Sequence, residues 1–300
     1  MPKISIKLTL ISLLLAGEAG AAVFSPDRPQ ALERHVEFLS DSICAGRRSG
    51  TPGSVEACSY IIRTLEGRGL KAEAHAFVYA DADGNQIIGR NVVVDGGASD
   101  PVVIIAGYDG YGVADGRLFP GADANASGVA ALLEIAPSLK GDFVIAFLDC
   151  RLMRYGGAAD LLHTTLKGRR PRLVVNLDCI GTTLAPVHRT WPEFLIALGA
   201  KQCACAGKPA SAVLEEICAR HDIHVYFDYY QSRDFTELFY RRIGDHTVFV
   251  SAGVNAVVFT SGVTMNTNRT TDGFRTLDYP VFAARVDIIE EFLKKYERRR

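Results

Sequence analysis

Beyond its first residues the chain has no apolar run near the roughly 20 residues that a membrane-spanning helix needs, so no membrane span is expected. It also has almost no net charge. The 33 Lys and Arg residues against 34 Asp and Glu give a formal charge of -1, which removes any global electrostatic pull towards nucleic acid. The one obvious basic cluster, Arg298-Arg299-Arg300, reads as a solvated helix end. No low-complexity linker, internal repeat or break in composition divides the sequence. None of the 7 cysteines forms a C-x-x-C pair, which argues against a zinc ribbon or a dithiol redox motif.

What is present describes a globular chain of 300 residues, 48% hydrophobic and 22% charged, long enough for a substantial α/β core. Lys3 and Lys7 precede an apolar stretch from Leu8 to Leu15, and Ala19-Gly20-Ala21 follows as a small-residue cleavage site. That order reads as a secretory signal peptide over residues 1–21, with a single domain over 22–300 that is secreted or periplasmic. Export would permit disulfides. The cysteines are Cys44, Cys58, Cys150, Cys179, Cys203, Cys205 and Cys218, and an odd number leaves at least one unpaired within the chain. Cys203 and Cys205 are too close to bridge one another, and burial as small hydrophobes is the ordinary alternative.

Hydrophobic periodicity predicts helices over Pro26 to Asp41, from Thr51 to Leu65, Ser127 to Leu139, Gly157 to Leu166, Ser211 to Arg220, Asp234 to Tyr240 and Tyr279 to Arg298. Strands are predicted at Ala74 to Tyr79, Asn91 to Val94, Val102 to Ala106, Phe143 to Leu148, Leu173 to Leu177, His224 to Tyr229 and Ala256 to Thr260. The runs at 102–106, 143–148 and 173–177 are continuously apolar, as central strands buried on both faces are. Strand and helix alternate, so the expected fold class is α/β: a three-layer α/β/α sandwich around a mixed, mostly parallel sheet. Ligands of such sheets bind beyond the carboxyl ends of the strands. The acidic segments there are Gly107-Tyr108-Asp109, Asp149-Cys150-Arg151 and Asp178-Cys179, joined by Gly121-Ala122-Asp123 at a helix start.

These segments carry a resemblance. Pro120-Gly121-Ala122-Asp123-Ala124-Asn125-Ala126-Ser127-Gly128-Val129-Ala130 is close to the P-G-A-D-D-N-A-S-G-V-A of the family-28 metallopeptidases, secreted aminopeptidases that use two co-catalytic zinc ions. Gly46 to Gly53 resembles that family's G-R-x-x-G-T-P-G, Asn176 to Gly181 its N-L-D-M-I-G, and Asp245-His246-Thr247-Val248-Phe249 its D-H-x-x-F. The resemblance implies the zinc-exopeptidase (phosphorylase/hydrolase-like) fold. It also implies a site, which departs from the family's pattern.

Asp123 matches the bridging ligand and Asp178 a second ligand, and these two are the remnant ligand positions. The His of the family's H-Y-D is Gly107, the His of its H-T-x-x-D is Asn268 (placed by Asp272), and its Glu-Glu pair is replaced. Alignment on Tyr155-Gly156 puts Cys150 at the general base and Arg151 at the ligand. Alignment on Asp149 gives Arg151 and Leu152 instead, and no Glu lies between Asp149 and Asp160 in either case. Tyr108, Asp109, Asn125, Asp149, His246 and Asp272 are expected to line the pocket.

Zinc needs at least three His, Cys or carboxylate ligands in a catalytic site, and a guanidinium offers no lone pair. The expectation is therefore a non-catalytic peptidase homologue, with no cofactor, that binds peptides or small amines in the old pocket. Arg151 is expected to replace the metal as countercharge by bridging two of the three carboxylates Asp109, Asp123 and Asp178. The alternative is an active metal-dependent aminopeptidase with an altered zinc site, rescued by Cys150 or Cys179, which follow strands expected to be close in the sheet, beside Asp123 or Asp178. A thiol hydrolase would use Cys150 with His246 as base; His163, His188, His221 and His224 have no motif context. Tyr226, Phe227, Tyr229 and Tyr230 are candidates for a recognition surface.

Overall fold

The computed structural model describes residues 27–80, 84–182 and 193–296. The leader, Pro26, His188 and the Arg298–Arg300 end lie outside the described residues.

The helices, in chain order, are α1 (Arg28–Ser40), α2 (Pro52–Glu66), α3 (Ser127–Ile135), α4 (Gly156–His163), α5 (Ala210–Arg220), α6 (Arg233–Arg242), α7 (His246–Ser251) and α8 (Tyr279–Lys294). The strands are β1 (Glu73–Ala80), β2 (Gln86–Asp95), β3 (Val102–Gly107), β4 (Gly112–Ala114), β5 (Arg117–Phe119), β6 (Phe143–Leu148), β7 (Leu173–Leu177), β8 (Phe194–Leu198), β9 (Ala204–Cys205), β10 (Lys208–Pro209), β11 (His224–Tyr226) and β12 (Ala256–Thr260).

Eight strands form one mixed sheet in the order β1-β2-β6-β3-β7-β12-β8-β11. Its centre, β6-β3-β7-β12, is parallel throughout, while β1 with β2, β2 with β6 and β12 with β8 pair antiparallel. The parallel strands are buried at every position, which explains their unbroken Val, Ile, Leu and Phe content.

Alternate side chains of these strands face opposite layers. Val102, Ile104, Ile145, Val175 and Phe259 pack with α1, α2, α3, α5 and α8. Val103, Ile105, Val144, Ala146 and Val174 pack on the other face with α4 and α7. Phe194, Ile196 and Val258 continue that face under α6 through Phe239 and Tyr240. The result is the expected three-layer sandwich.

The boundaries correct several sequence readings. The strand β8 was not foreseen, and the strand expected to run to Tyr229 stops at Tyr226. Thr51 precedes α2 as foreseen, but its hydroxyl donates back to the Arg48 carbonyl at 2.6 Å, and Pro52 opens the helix. Gly53 is needed in that first turn, because a Cβ there would stand 2.1 Å from the Cys44 carbonyl oxygen. Cys150 and Cys179 follow β6 and β7, which β3 separates, so they are not on neighbouring strands. All seven cysteines are unpaired and buried.

Candidate functional site

Because β6, β3, β7 and β12 run in parallel, Asp149, Gly107, Asp178 and Ser261 arrive at one edge of the sheet. Two layers form there: a buried carboxylate layer that ties loops together, and an open pocket above it.

The buried layer holds most of the acidic residues singled out from the sequence. Asp149 accepts from the Ser49 hydroxyl at 2.6 Å, the Cys150 amide at 2.8 Å, the Arg90 amide at 3.0 Å and the Tyr108 hydroxyl at 3.2 Å. Asp109 accepts from the Arg151 and Leu152 amides at 2.9 and 3.2 Å, and burial raises its pKa to about 6. Asp272 accepts from the amides of Asp123 and Ala124 at 2.8 and 3.1 Å, and is likewise raised to about 6 by burial. Asn125 donates to the Gly107 and Leu177 carbonyls at 3.1 and 2.9 Å and accepts from the Cys179 amide at 2.9 Å. These side chains work as the loops' hydrogen-bond partners, replacing a secondary-structure ladder where the strands end.

Arg47, from the G-R-x-x-G segment, has no exposed surface. Its guanidinium donates to the carbonyls of Tyr108, Pro120 and Gly121 at 2.7 to 2.8 Å, and also to that of Leu39. Arg285 plays a similar part, donating to Phe194, Ile180 and Thr182. Neither arginine was identified from the sequence as structural.

Asp123, the bridging-ligand position, is turned into this buried layer. It accepts from the Thr182 hydroxyl at 2.6 Å, the Gly181 amide at 2.8 Å and the Ser127 hydroxyl at 2.9 Å. Asp178 lies in the pocket instead, and there Arg151 meets it with two contacts, Nη1 to Oδ1 and Nη2 to Oδ2, both 3.1 Å. Two parallel bonds of this kind make the strongest common ion-pair geometry. Burial opposes the charge on Arg151, yet the facing carboxylates, Asp178 first, outweigh it and raise the pKa of Arg151. Arg151 does not bridge two carboxylates as expected: both of its contacts go to Asp178, while Asp109 is held by amides and Asp123 by its own donors.

The pocket is a cavity of about 260 Å³. Leu198, Tyr229, Phe239, Ile243, Val258 and Val263 make its apolar wall, and Arg151, Asp178, Cys179, His246, Thr260 and Asn268 its polar lining. Of the six residues expected to line it only His246 does, whereas Tyr108, Asp109, Asn125, Asp149 and Asp272 lie in the buried layer; the ligand positions Arg151, Asp178 and Asn268 line it as well. Of the aromatic cluster only Tyr229 reaches it, stacked on Phe239 with ring centroids 4.2 Å apart. Asp245 opens the Asp245–Phe249 segment at the start of α7. It is buried, its Oδ1 has no hydrogen-bond partner, and burial raises its pKa to about 7.

Cys150 is not in this pocket. It is fully buried, and its sulfur lies against β2, where a Cβ on Gly89 would be 2.8 Å away. Burial pushes its thiol up to about 12. His246 is also unavailable as its base. The Tyr240 carbonyl can only accept, so His246 Nε2 carries the proton at 3.0 Å from it, and Nδ1 takes the Asn176 amide at 3.2 Å. Burial lowers the His246 pKa to about 4. The Cys150–His246 pairing does not form: the thiol is buried outside the pocket, where burial disfavours the thiolate, and both His246 ring nitrogens are taken by Tyr240 and Asn176.

The family's zinc ions do not fit the residues present. Asp178 is engaged by a cation, Asp123 is saturated by internal donors, and Gly107 supplies no side chain. Among the described residues, no group of three or more His, Cys, Asp or Glu side chains could hold a metal ion.

The sheet order, the strand-end loops and the pocket at their carboxyl edge define a zinc-exopeptidase-like α/β protein. The chain belongs to peptidase family M28, whose model matches residues 91–293. No curated protein sequence matches it. Among solved structures it is similar to glutaminyl cyclase from Porphyromonas gingivalis (TM-score 0.69, 18% identity, covering 91% of this chain and 99% of that one). Glutaminyl cyclase from Bacteroides thetaiotaomicron bound to N-acetylhistamine is also similar (TM-score 0.66, 16% identity, 92% and 100% covered). So is a Zn-dependent exopeptidase from Parabacteroides distasonis (TM-score 0.62, 16% identity, 88% and 97% covered). At these identities the likeness is one of fold. No helix among the described residues is long and apolar enough to cross a membrane.

Proposed function

We propose that this protein is an exported, non-catalytic member of the family that binds a peptide or small amine in the pocket above the strand ends. The observation that carries the reading is the Arg151–Asp178 pair. A permanent cation holds a ligand-position carboxylate at 3.1 Å by both oxygens, on the spot where a zinc ion would need that carboxylate free. Hydrolysis would further require a base to activate water. The residue at that position, Cys150, is buried outside the pocket with its thiol at about 12, and His246 is spent on Tyr240 and Asn176.

The leader-like sequence of residues 1–21 supports export. Unpaired but buried cysteines are compatible with that location, since burial denies oxidants access to them.

The test is an aminopeptidase assay on the purified protein, with aminoacyl-4-nitroanilides, alongside a cyclisation assay on N-terminal glutaminyl peptides. Each is run with chelator and with added zinc. No turnover above background is expected in any condition. Zinc-dependent turnover would overturn the reading and favour an altered, single-metal site built on Asp178 and Cys179, whose thiol lies 3.4 Å from the carboxylate.

A further inference from the structure

The pocket's polar end is a bound pair of opposite charges, and that pattern selects a ligand class. We infer that the pocket takes a free, zwitterionic α-amino acid with an apolar or aromatic side chain, its ammonium on Asp178 and its carboxylate on Arg151. This rests on the non-catalytic reading above and narrows its ligand.

Three observations lead there. First, both members of the pair retain bonding capacity. Arg151 has five N–H donors, and Asp178 takes Nη1 and Nη2. No other hydrogen bond from the Arg151 side chain occurs among the described residues, so protons at Nε and on the outer side of each Nη remain for an anionic oxygen. Asp178 accepts from Arg151 and weakly from the Cys179 thiol, and its two oxygens have further lone pairs for an ammonium. Their side chains are 19% and 18% exposed, enough for ligand contact from the cavity.

Second, the pair is neutral as a unit. An isolated amine attracted to Asp178 is repelled by Arg151, and an isolated carboxylate suffers the reverse; each interaction largely cancels at this spacing. A zwitterion sets each of its charges beside the opposite charge of the pair and leaves the net charge unchanged. Third, a cavity of about 260 Å³ lies at the small end of ligand pockets, and its wall of Leu198, Tyr229, Phe239, Val258 and Val263 suits one apolar side chain. The stacked Tyr229 and Phe239 rings give that wall a flat aromatic surface.

The experiment is isothermal titration of the purified protein with free leucine and phenylalanine, with their amides, which lack the carboxylate, and with their N-acetyl forms, which lack the ammonium. The free amino acids are expected to bind, with each blocked form at least tenfold weaker. Asp178→Asn leaves Arg151 unbalanced, so it should reverse the preference towards the N-acetyl forms. Phe239→Ala should weaken phenylalanine several-fold and, being outside the charged pair, leave the order of blocked forms unchanged.

Amides or N-acetyl forms binding as tightly as the free amino acids would overturn the zwitterion assignment while leaving a non-catalytic binder standing. Absence of binding by all six compounds would overturn it too. Hydrolysis of the amides would instead overturn the non-catalytic reading itself, whatever the binding order.

Discussion

A Cβ placed on Gly107 would lie 3.1 Å from Cδ of Arg151 and 3.0 Å from an Asp245 carboxylate oxygen. The position where the family resemblance expects an imidazole is filled by the stem of the residue that stands where it expects a carboxylate ligand. Two departures that look separate in the sequence are one packing arrangement in space. Loss of the side chain at 107 makes room for Arg151, and Arg151 neutralises Asp178, which would otherwise be an unpaired carboxylate in a largely buried setting.

That relationship predicts strong non-additivity. Gly107→His alone drives a ring into Arg151 and Asp245 and should cost about 2–3 kcal/mol through overpacking. Arg151→Glu alone places a third carboxylate beside Asp178 and Asp245 and should cost about 3–5 kcal/mol, as breaking a buried pair does. The double variant should be more stable than the sum of the two losses implies, by at least ~1 kcal/mol in urea denaturation. Simple additivity would show that the two positions are not coupled. An Arg151→Glu protein more stable than the parent without metal would remove the countercharge role altogether.

Stability should depend on pH through Asp245. Burial raises its pKa to about 7, so between about pH 4 and 7 the folded chain keeps a proton that the unfolded chain has released. Its contribution is therefore full below about pH 4 and is lost as pH rises through 7. Asp109 and Asp272, raised to about 6 by burial, act in the same direction. His246, lowered to about 4, opposes them: its share is lost as pH falls from about 6.5 towards 4. Asp245→Asn should leave stability near pH 4.5 almost unchanged and raise it at pH 8 by on the order of 1–3 kcal/mol. A difference between variant and parent that does not vary with pH would show that Asp245 titrates as an exposed carboxylate does.

The fold was largely legible because its central strands advertise themselves. The runs at Phe143–Leu148, Leu173–Leu177 and Ala256–Thr260 are short, apolar and bounded by turn residues, and the structure keeps those limits. Phe194–Leu198 escaped because Phe-Leu-Ile-Ala-Leu mixes strand and helix formers over five residues, too few for periodicity to decide. The site was half legible. Motif positions located Asp178, Arg151, Asn268 and His246, which line the pocket. They could not reveal that Asp109, Asp149 and Asp272 point inward, because that depends on which loop amides need acceptors. Nor could they show that β3 separates Cys150 from Cys179, since chain order does not give sheet order.

Arg47 offers a test of the buried layer that is independent of the pocket. One guanidinium serves carbonyls of Leu39, Tyr108, Pro120 and Gly121, drawing together the end of α1, the loop after β3 and the loop before α3. Lysine keeps the charge but concentrates three donors at a single point, so Arg47→Lys leaves at least one buried carbonyl without a partner. A loss of about 2–4 kcal/mol is expected in chemical denaturation. A loss within about 0.5 kcal/mol of zero would mean that water or a shifted loop satisfies those carbonyls equally well.

Zinc linkage separates a site that is merely empty from one that has been dismantled. A metal that binds only the folded state stabilises it by about 4 kcal/mol at a thousandfold excess over its dissociation constant. The parent protein should show no difference in denaturation midpoint between chelator and 0.1 mM zinc (about the level at which a micromolar site would be nearly saturated). Binding would require Asp178 to leave Arg151 and Asp123 to give up the Thr182, Gly181 and Ser127 donors at 2.6 to 2.9 Å. The informative comparison is the variant combining Gly107→His, Cys150→Glu, Arg151→Glu and Asn268→His. It removes the Arg151 obstacle but leaves Asp123 where it is. Zinc stabilisation of at least ~1 kcal/mol in that variant would place the loss of metal binding in the four substituted side chains. No stabilisation would place it in the turn that holds Asp123, where the bridging carboxylate has become a structural acceptor.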